Sequence, residues 1–162
     1  MSAEGIDLVE VARGVAREFG PAAERHGSTI EVADASTARA VADGDRVAQI
    51  MRILLDNALA HTPRGTSIWI SVQRDDGVAS VAVRDDGPGI EPHERARVFD
   101  RFYTGDRVSG SGLGLAIARE LASRMGGKLL LASRRGFTEF TLRLPEAVSE
   151  EAALAESLEQ GG

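Results

Sequence analysis

The chain has 162 residues, 43% of them apolar and 27% charged, a length and balance that suit one globular domain with a buried core. No apolar run approaches the roughly 18 residues that a membrane-spanning helix needs, and residues 1–5 have neither the basic nor the apolar part of a signal peptide, so no leader is expected. Cysteine is absent, which excludes disulfide scaffolds and thiolate metal sites and fits a reducing, cytoplasmic setting.

The net charge is −6, but Glu146, Glu150, Glu151, Glu156 and Glu159 fall in the last 17 residues with no base among them. Without these five the remainder sits near −1, so the body lacks the basic surface of a nucleic-acid binder, and neither nucleic acid nor direct membrane contact is expected of it. Lys128 is the only lysine beside 18 arginines. Any grip on phosphate must come from arginine, backbone N–H groups or a metal.

In chain order, apolar residues at Ile6, Val9, Val11, Ala12, Val15, Ala16 and Phe19 predict an amphipathic helix from Ile6 toward Arg25, ending near Gly20-Pro21 or continuing weakly past it. Residues 28–33 predict a short strand, and residues 38–41 allow a second. Asp43 or Asp45 can cap a helix from Arg46 to about His61, which Thr62-Pro63 stops. Ile53, Asn57 and His61 share one face of that helix at i, i+4 and i+8. Residues 67–73 and 78–84 alternate as strands around the turn signal Asp76-Gly77. A helix is predicted over residues 113–125, ended by Gly126-Gly127, then strands over 128–133 and 137–144. Residues 146–160 read as a helix or a frayed tail. These elements predict an α+β two-layer sandwich, a mixed and mostly antiparallel sheet covered by three helices. The domain is expected to span residues 1–145, with an acidic tail at 146–162.

Two glycine clusters frame the most informative stretch, Asp85-Asp86-Gly87-Pro88-Gly89-Ile90 and Gly110-Ser111-Gly112-Leu113-Gly114-Leu115. A carboxylate at the end of a strand can accept from an exocyclic amine while the glycines turn the backbone beneath a planar base; an Asx-type turn is the purely structural alternative. The second cluster enters a helix, where free N–H groups and the helix dipole favour an anion; a flexible loop is the alternative. It is neither G-x-x-x-x-G-K-[ST] nor G-x-G-x-x-G after a strand, which excludes a P-loop and disfavours a Rossmann site. Asn57 offers a neutral oxygen of the kind Mg²⁺ accepts beside phosphates and water. His61 is read as lining a pocket or capping its helix, because three histidines and no cysteine make no ligand cluster.

In this order the motifs resemble the ATP-binding catalytic domain of sensor histidine kinases, within the gyrase, Hsp90, histidine kinase and MutL superfamily. Ile50 to Pro63 looks like the N box, Asp85 to Ile90 the G1 box, Arg97 to Tyr103 the F box and Gly110 to Leu115 the G2 box. Ser133 to Pro145 looks like the closing strand pair, so the resemblance covers roughly residues 6–145. It implies the Bergerat fold, with ATP and Mg²⁺ as ligands. By the same resemblance Asp85 binds the adenine amine, Gly87, Gly89 and Ile90 shape the base pocket, and Thr138 lies near the adenine. Asn57 holds Mg²⁺ and His61 lines the site, while Gly110, Ser111, Gly112, Leu113, Gly114 and Leu115 meet the phosphates. Phe99 and Phe102 anchor a lid over residues 104–109, with Arg107 or Arg101 reaching the phosphates.

Three positions depart from the pattern. Ile53 stands where an asparagine or acid is usual, Ala60 where a lysine is common, and the lid is short. Modest ATP affinity follows. His26, His61 and His93 lack the H-E-x-x-x-P surroundings of a phosphoacceptor. The resemblance therefore implies the catalytic part of a two-component kinase, cytoplasmic, with its parent anchored in the cell membrane. Its partners would be the parent's dimerisation and phosphoacceptor domain and a downstream response regulator. A degenerate nucleotide-binding module and an anti-sigma-type serine kinase are the alternatives, the F box speaking against the latter.

Overall fold

The computed structural model describes residues 3–33, 37–101 and 113–148. The elements run β1 (Glu4–Asp7), α1 (Leu8–Glu18), α2 (Gly20–His26), β2 (Thr29–Val32), β3 (Arg39–Ala42), α3 (Gly44–Ala60), β4 (Ser67–Asp75), β5 (Val78–Asp85), α4 (Pro92–Arg95), α5 (Gly114–Arg124), β6 (Lys128–Arg134) and β7 (Phe137–Pro145).

Alternating apolar residues build the main sheet. Its order is β2-β4-β5-β7-β6, with β2 and β4 parallel and every other pair antiparallel. Asp76 and Gly77 both take positive φ (49° and 81°), the turn geometry whose twist matches a two-residue hairpin between β4 and β5. One face of the sheet buries Ile68, Ile70, Val72, Ala79, Val81, Val83, Phe140, Leu142 and Leu144. Against it lie α1, α3 and α5, through Leu8, Ala12 and Val15, Val47, Ile50, Met51, Leu54 and Leu55, and Ala118, Leu121 and Ala122. The other face carries Trp69, Arg84 and Phe137, with the Arg84 guanidinium 4.7 Å from the centre of the Trp69 ring and 5.7 Å from that of Phe137.

The α+β architecture with three covering helices agrees with the sequence expectation, and four local differences have physical causes. First, Glu4–Asp7 is a strand rather than the start of a helix: Ile6 pairs with Ala40 in a separate two-stranded sheet of β1 and β3. Asp7 then caps α1, accepting from the Val9 N–H at 2.9 Å and the Glu10 N–H at 3.3 Å. Second, the predicted long helix breaks after Glu18 and resumes as α2, with Pro21 in its first turn, where its missing N–H does no harm. Third, α3 starts two residues early because Asp43 is the cap, accepting from Asp45 N–H at 3.0 Å. Fourth, α4 is a single turn after Glu91 that carries no apolar period. Residues 149–162 of the acidic tail lie outside the described residues.

Leu54 is 1% exposed at the centre of the helix layer. Leu54→Ala should therefore lower the unfolding free energy by about 3 kcal/mol in urea titration. The solvent-facing Arg52–Glu18 pair (2.8 Å) joins α3 to α1, and the guanidinium holds the Glu18 carboxyl below its ordinary range. Arg52→Ala should leave the urea midpoint almost unchanged, because exposed pairs are screened.

Candidate functional site

β5 and β7 run antiparallel so that Asp85, the last residue of β5, sits opposite Thr138. Both are buried polar side chains (7% and 6% exposed) at the end of an otherwise apolar face. The C-terminal end of α3 passes over this corner. Asn57, Ala58, His61, Thr62, Asp85, Pro88, Gly89, Ile90 and Thr138 together line a cavity of about 250 Å³, counted to its open mouth.

The floor is held by the loop after β5. Asp85 Oδ1 accepts the Gly87 N–H at 3.0 Å, and Asp86 Oδ1 accepts the Ser67 N–H at 2.8 Å, tying the loop's start to β4. Gly87 lies against Thr62, and a Cβ there would press into the Thr62 methyl. Gly89 has φ +86°, and a Cβ on it would collide with the Arg134 carbonyl, so this loop needs glycine for both conformation and clearance. Ile90 N–H donates to Ser133 Oγ at 2.8 Å, and Arg95 Nε donates to the Ile90 carbonyl at 3.0 Å.

The α3 wall is pinned independently. His61 N–H donates to the Asn57 carbonyl at 3.1 Å, and Thr62 Oγ1 donates to the Ala58 carbonyl at 2.6 Å. His26 Nε2 lies 3.1 Å from the Thr62 carbonyl, which can only accept, so Nε2 donates there, and Nδ1 contacts the Ser28 hydroxyl.

Of the residues expected at a site, the structure brings Asn57, His61, Asp85, Gly89, Ile90 and Thr138 to one cavity, with Gly87 buried behind it. Leu113, Gly114 and Leu115 stand at the start of α5. Ile53, one turn before Asn57, fills the space beside them, its Cγ2 lying 3.3 Å from where a Cβ on Gly114 would be. Arg101 is exposed and lies 3.5 Å from Glu120, away from the cavity lining. Phe99 packs edge-on against Phe140 with ring centres 6.0 Å apart. Phe102, Arg107, Gly110, Ser111 and Gly112 lie outside the described residues. Sequence reasoning missed Thr62 and Pro88 as lining residues and Ser133 as a support. Ser133 had a signal: it shares the inward phase of Leu129 and Leu131, where an apolar side chain is the rule.

Metal ligands are sparse. Among the described residues no three His, Asp or Glu side chains cluster as a metal site. Asp56 is about 100° round the helix from Asn57, is not among the cavity-lining residues, and has its carboxyl pushed above the ordinary value by partial burial. Asn57 is therefore the one oxygen ligand that α3 offers at the cavity, and a divalent cation here would rely on ligand phosphates and water for its remaining positions.

The profile of the family described as histidine kinase-, DNA gyrase B-, and HSP90-like ATPase matches residues 42–148. The chain belongs to this ATPase family. It is 37% identical over 119 residues to the sensor-like histidine kinase SenX3 of Mycobacterium tuberculosis, a match covering 70% of this chain and 29% of SenX3. The chain thus spans less than a third of the length of these curated relatives, from 32% of the Serratia marcescens sensor RssA down to 14% of the Caulobacter vibrioides sensor DivL. Its fold superposes with a TM-score of 0.83 on full-length ShkA in complex with AMPPNP, at 31% identity over 92% of this chain and 32% of that one. It superposes at 0.75 on the histidine kinase ThkA in complex with the response regulator protein TrrA, at 25% identity over 90% of this chain and 42% of ThkA.

The clearance argument predicts an asymmetry between two glycines of similar φ. Gly136 has φ +79° with open space around it, whereas Gly89 faces the Arg134 carbonyl. Gly136→Ala should cost about 1 kcal/mol from backbone strain alone, and Gly89→Ala clearly more, up to ~3 kcal/mol, both measured by urea unfolding.

Proposed function

We propose that the chain is the ATP-binding catalytic domain of a sensor histidine kinase. It transfers the γ-phosphate of ATP to a histidine on the parent's separate dimerisation and phosphoacceptor domain, from which a response regulator is served. The observation that carries this is the pairing of buried Asp85 with buried Thr138 at the floor of a cavity open to solvent beneath α3, in a chain of this ATPase family. Support also comes from ShkA, whose structure holds the ATP analogue AMPPNP, and from ThkA in its complex with TrrA.

Asp85 accepts from the adenine amine, and Gly87, Gly89 and Ile90 shape the base pocket beneath it. Asn57 faces the cavity from α3 and is assigned the Mg²⁺ ion, with His61 beside it; the ion supplies charge neutralisation for the phosphates. Gly110, Ser111, Gly112, Leu113, Gly114 and Leu115 are assigned the phosphates, at the N-terminus of α5. Arg107, and Arg101 if released from Glu120, are assigned to neutralise γ-phosphate charge. Catalysis is then largely positioning and electrostatics, as phosphoryl transfer requires. The domain is taken to end at Pro145, with residues 146–162 as an appended acidic tail. Among the described residues no helix is long and apolar enough to cross a membrane, and the cytoplasmic placement beside a membrane-anchored parent belongs to the same proposal.

A second reading, a module that binds nucleotide without transferring phosphate, is favoured by one observation. Ile53 packs against the start of α5 where the resemblance implies a polar group, so α3 brings no carboxylate to the cavity beside Asn57.

Mixing the chain with its parent's dimerisation domain and labelled ATP separates the two. The kinase reading expects acid-labile phosphate on that domain, falling to background with Asn57→Ala; no label above that background would leave only the binding module. Removal of Mg²⁺ should weaken ATP binding in calorimetry. Tight binding indifferent to Mg²⁺ would contradict the role of Asn57.

A further inference from the structure

The Ser133 hydroxyl, at the inward-facing end of β6, touches three groups. It accepts the Ile90 N–H at 2.8 Å, donates to the Phe137 carbonyl at 3.0 Å, and lies 3.3 Å from Thr138 Oγ1. A hydroxyl has one proton and two lone pairs. The Phe137 carbonyl can only accept and is the nearer of the two acceptors, 3.0 Å against 3.3 Å, which assigns it the Ser133 proton. Toward Thr138, then, Ser133 can only accept, and Thr138 must donate. The single Thr138 proton is thereby turned toward β6, and Thr138 presents lone pairs to the cavity it lines. Across the ladder from it, Asp85 as a carboxylate also presents only lone pairs, one oxygen being engaged by the Gly87 N–H.

We infer that Ser133 is a positioning residue that fixes the hydrogen-bond polarity of the base pocket, making it selective for a purine with an exocyclic amine over one with a carbonyl at the same place. This rests on the ATP reading above. With both facing side chains acting as acceptors, the amine of adenine satisfies them, whereas the carbonyl of hypoxanthine or guanine sets lone pair against lone pair. Buried acceptors left without a donor are what make such a site discriminate. Ser133 also ties the loop after β5 to the β6–β7 turn, so simple loss of this brace must be told apart from loss of polarity. A brace would affect all nucleotides alike; polarity changes their ratio.

The test is calorimetric titration of the chain with ATP and with inosine triphosphate, in Mg²⁺. Wild type should prefer ATP. Ser133→Ala frees the Thr138 proton to rotate into the cavity and meet a carbonyl, so the ATP-to-inosine-triphosphate affinity ratio should fall about tenfold, the scale of one hydrogen bond to a buried polar group. Ser133→Thr keeps the hydroxyl and should keep the ratio. Thr138→Val, which leaves Ser133 in place, should lower ATP affinity and, by removing the opposing lone pair, raise that of inosine triphosphate, and it decides the matter if Ser133→Ala does not fold. An equal loss of both nucleotides in Ser133→Ala would overturn the inference, as would an unchanged ratio in Thr138→Val. Wild type binding ATP without preference over inosine triphosphate would also overturn it and leave the ATP reading standing. Wild type binding neither nucleotide would remove both.

Discussion

The close approach of the Pro88–Ile90 backbone to the β6–β7 turn is the constraint on which the site depends. β5 ends at Asp85 pointing into the core side of the sheet, and the chain must fold back across the end of β7 without filling the space above Thr138. It does so because residue 89 has no Cβ to meet the Arg134 carbonyl, and because Ser133 takes up the Ile90 N–H that the crossing would otherwise leave buried without a partner. The cavity is what remains between that loop and α3. A side chain at position 89 would push the loop off the turn and take the cavity floor with it.

α3 supplies the other half by dividing its surface into two stripes. Val47, Ile50, Met51, Leu54, Leu55 and Ala58 bury against the sheet and fix the helix axis. The adjacent stripe of Ile53, Asn57 and His61 meets the start of α5 and the cavity in turn. Burial of the first stripe fixes the helix, so in the second only Ile53 packs against the core while Asn57 and His61 line the cavity. Ile53 lies against the start of α5, and Asn57, one turn on, faces the cavity as a neutral polar side chain.

Elements whose own pattern decides them were legible in the sequence. The alternation of residues 67–73 and 78–84, the helix of residues 46–61 and the Asp76-Gly77 turn all form locally. What stayed hidden depends on partners distant in the chain. Ile6 fits a helical period as well as it fits a strand, and only pairing with Ala40, 34 residues on, makes it β. Arg101 looks free to reach a ligand until Glu120 of α5 is placed beside it. Ser133 reads as one polar residue near a hairpin; its meaning appears only when Ile90, Phe137 and Thr138 converge on the same oxygen. The side to which Trp69 turns is likewise set by the sheet: strand alternation places it on the face opposite the helices, stacked with Arg84.

The central claim is that the corner between α3 and the ends of β5 and β7 is where the adenine base binds. Amide chemical-shift mapping of the chain during titration with ADP tests it most directly. The account predicts the largest shifts at Asn57, Gly87, Gly89, Ile90 and Thr138, with the open face around Ser71, Ala82 and Thr141 unmoved. Shifts concentrated on that open face, or none at saturating nucleotide, would contradict it.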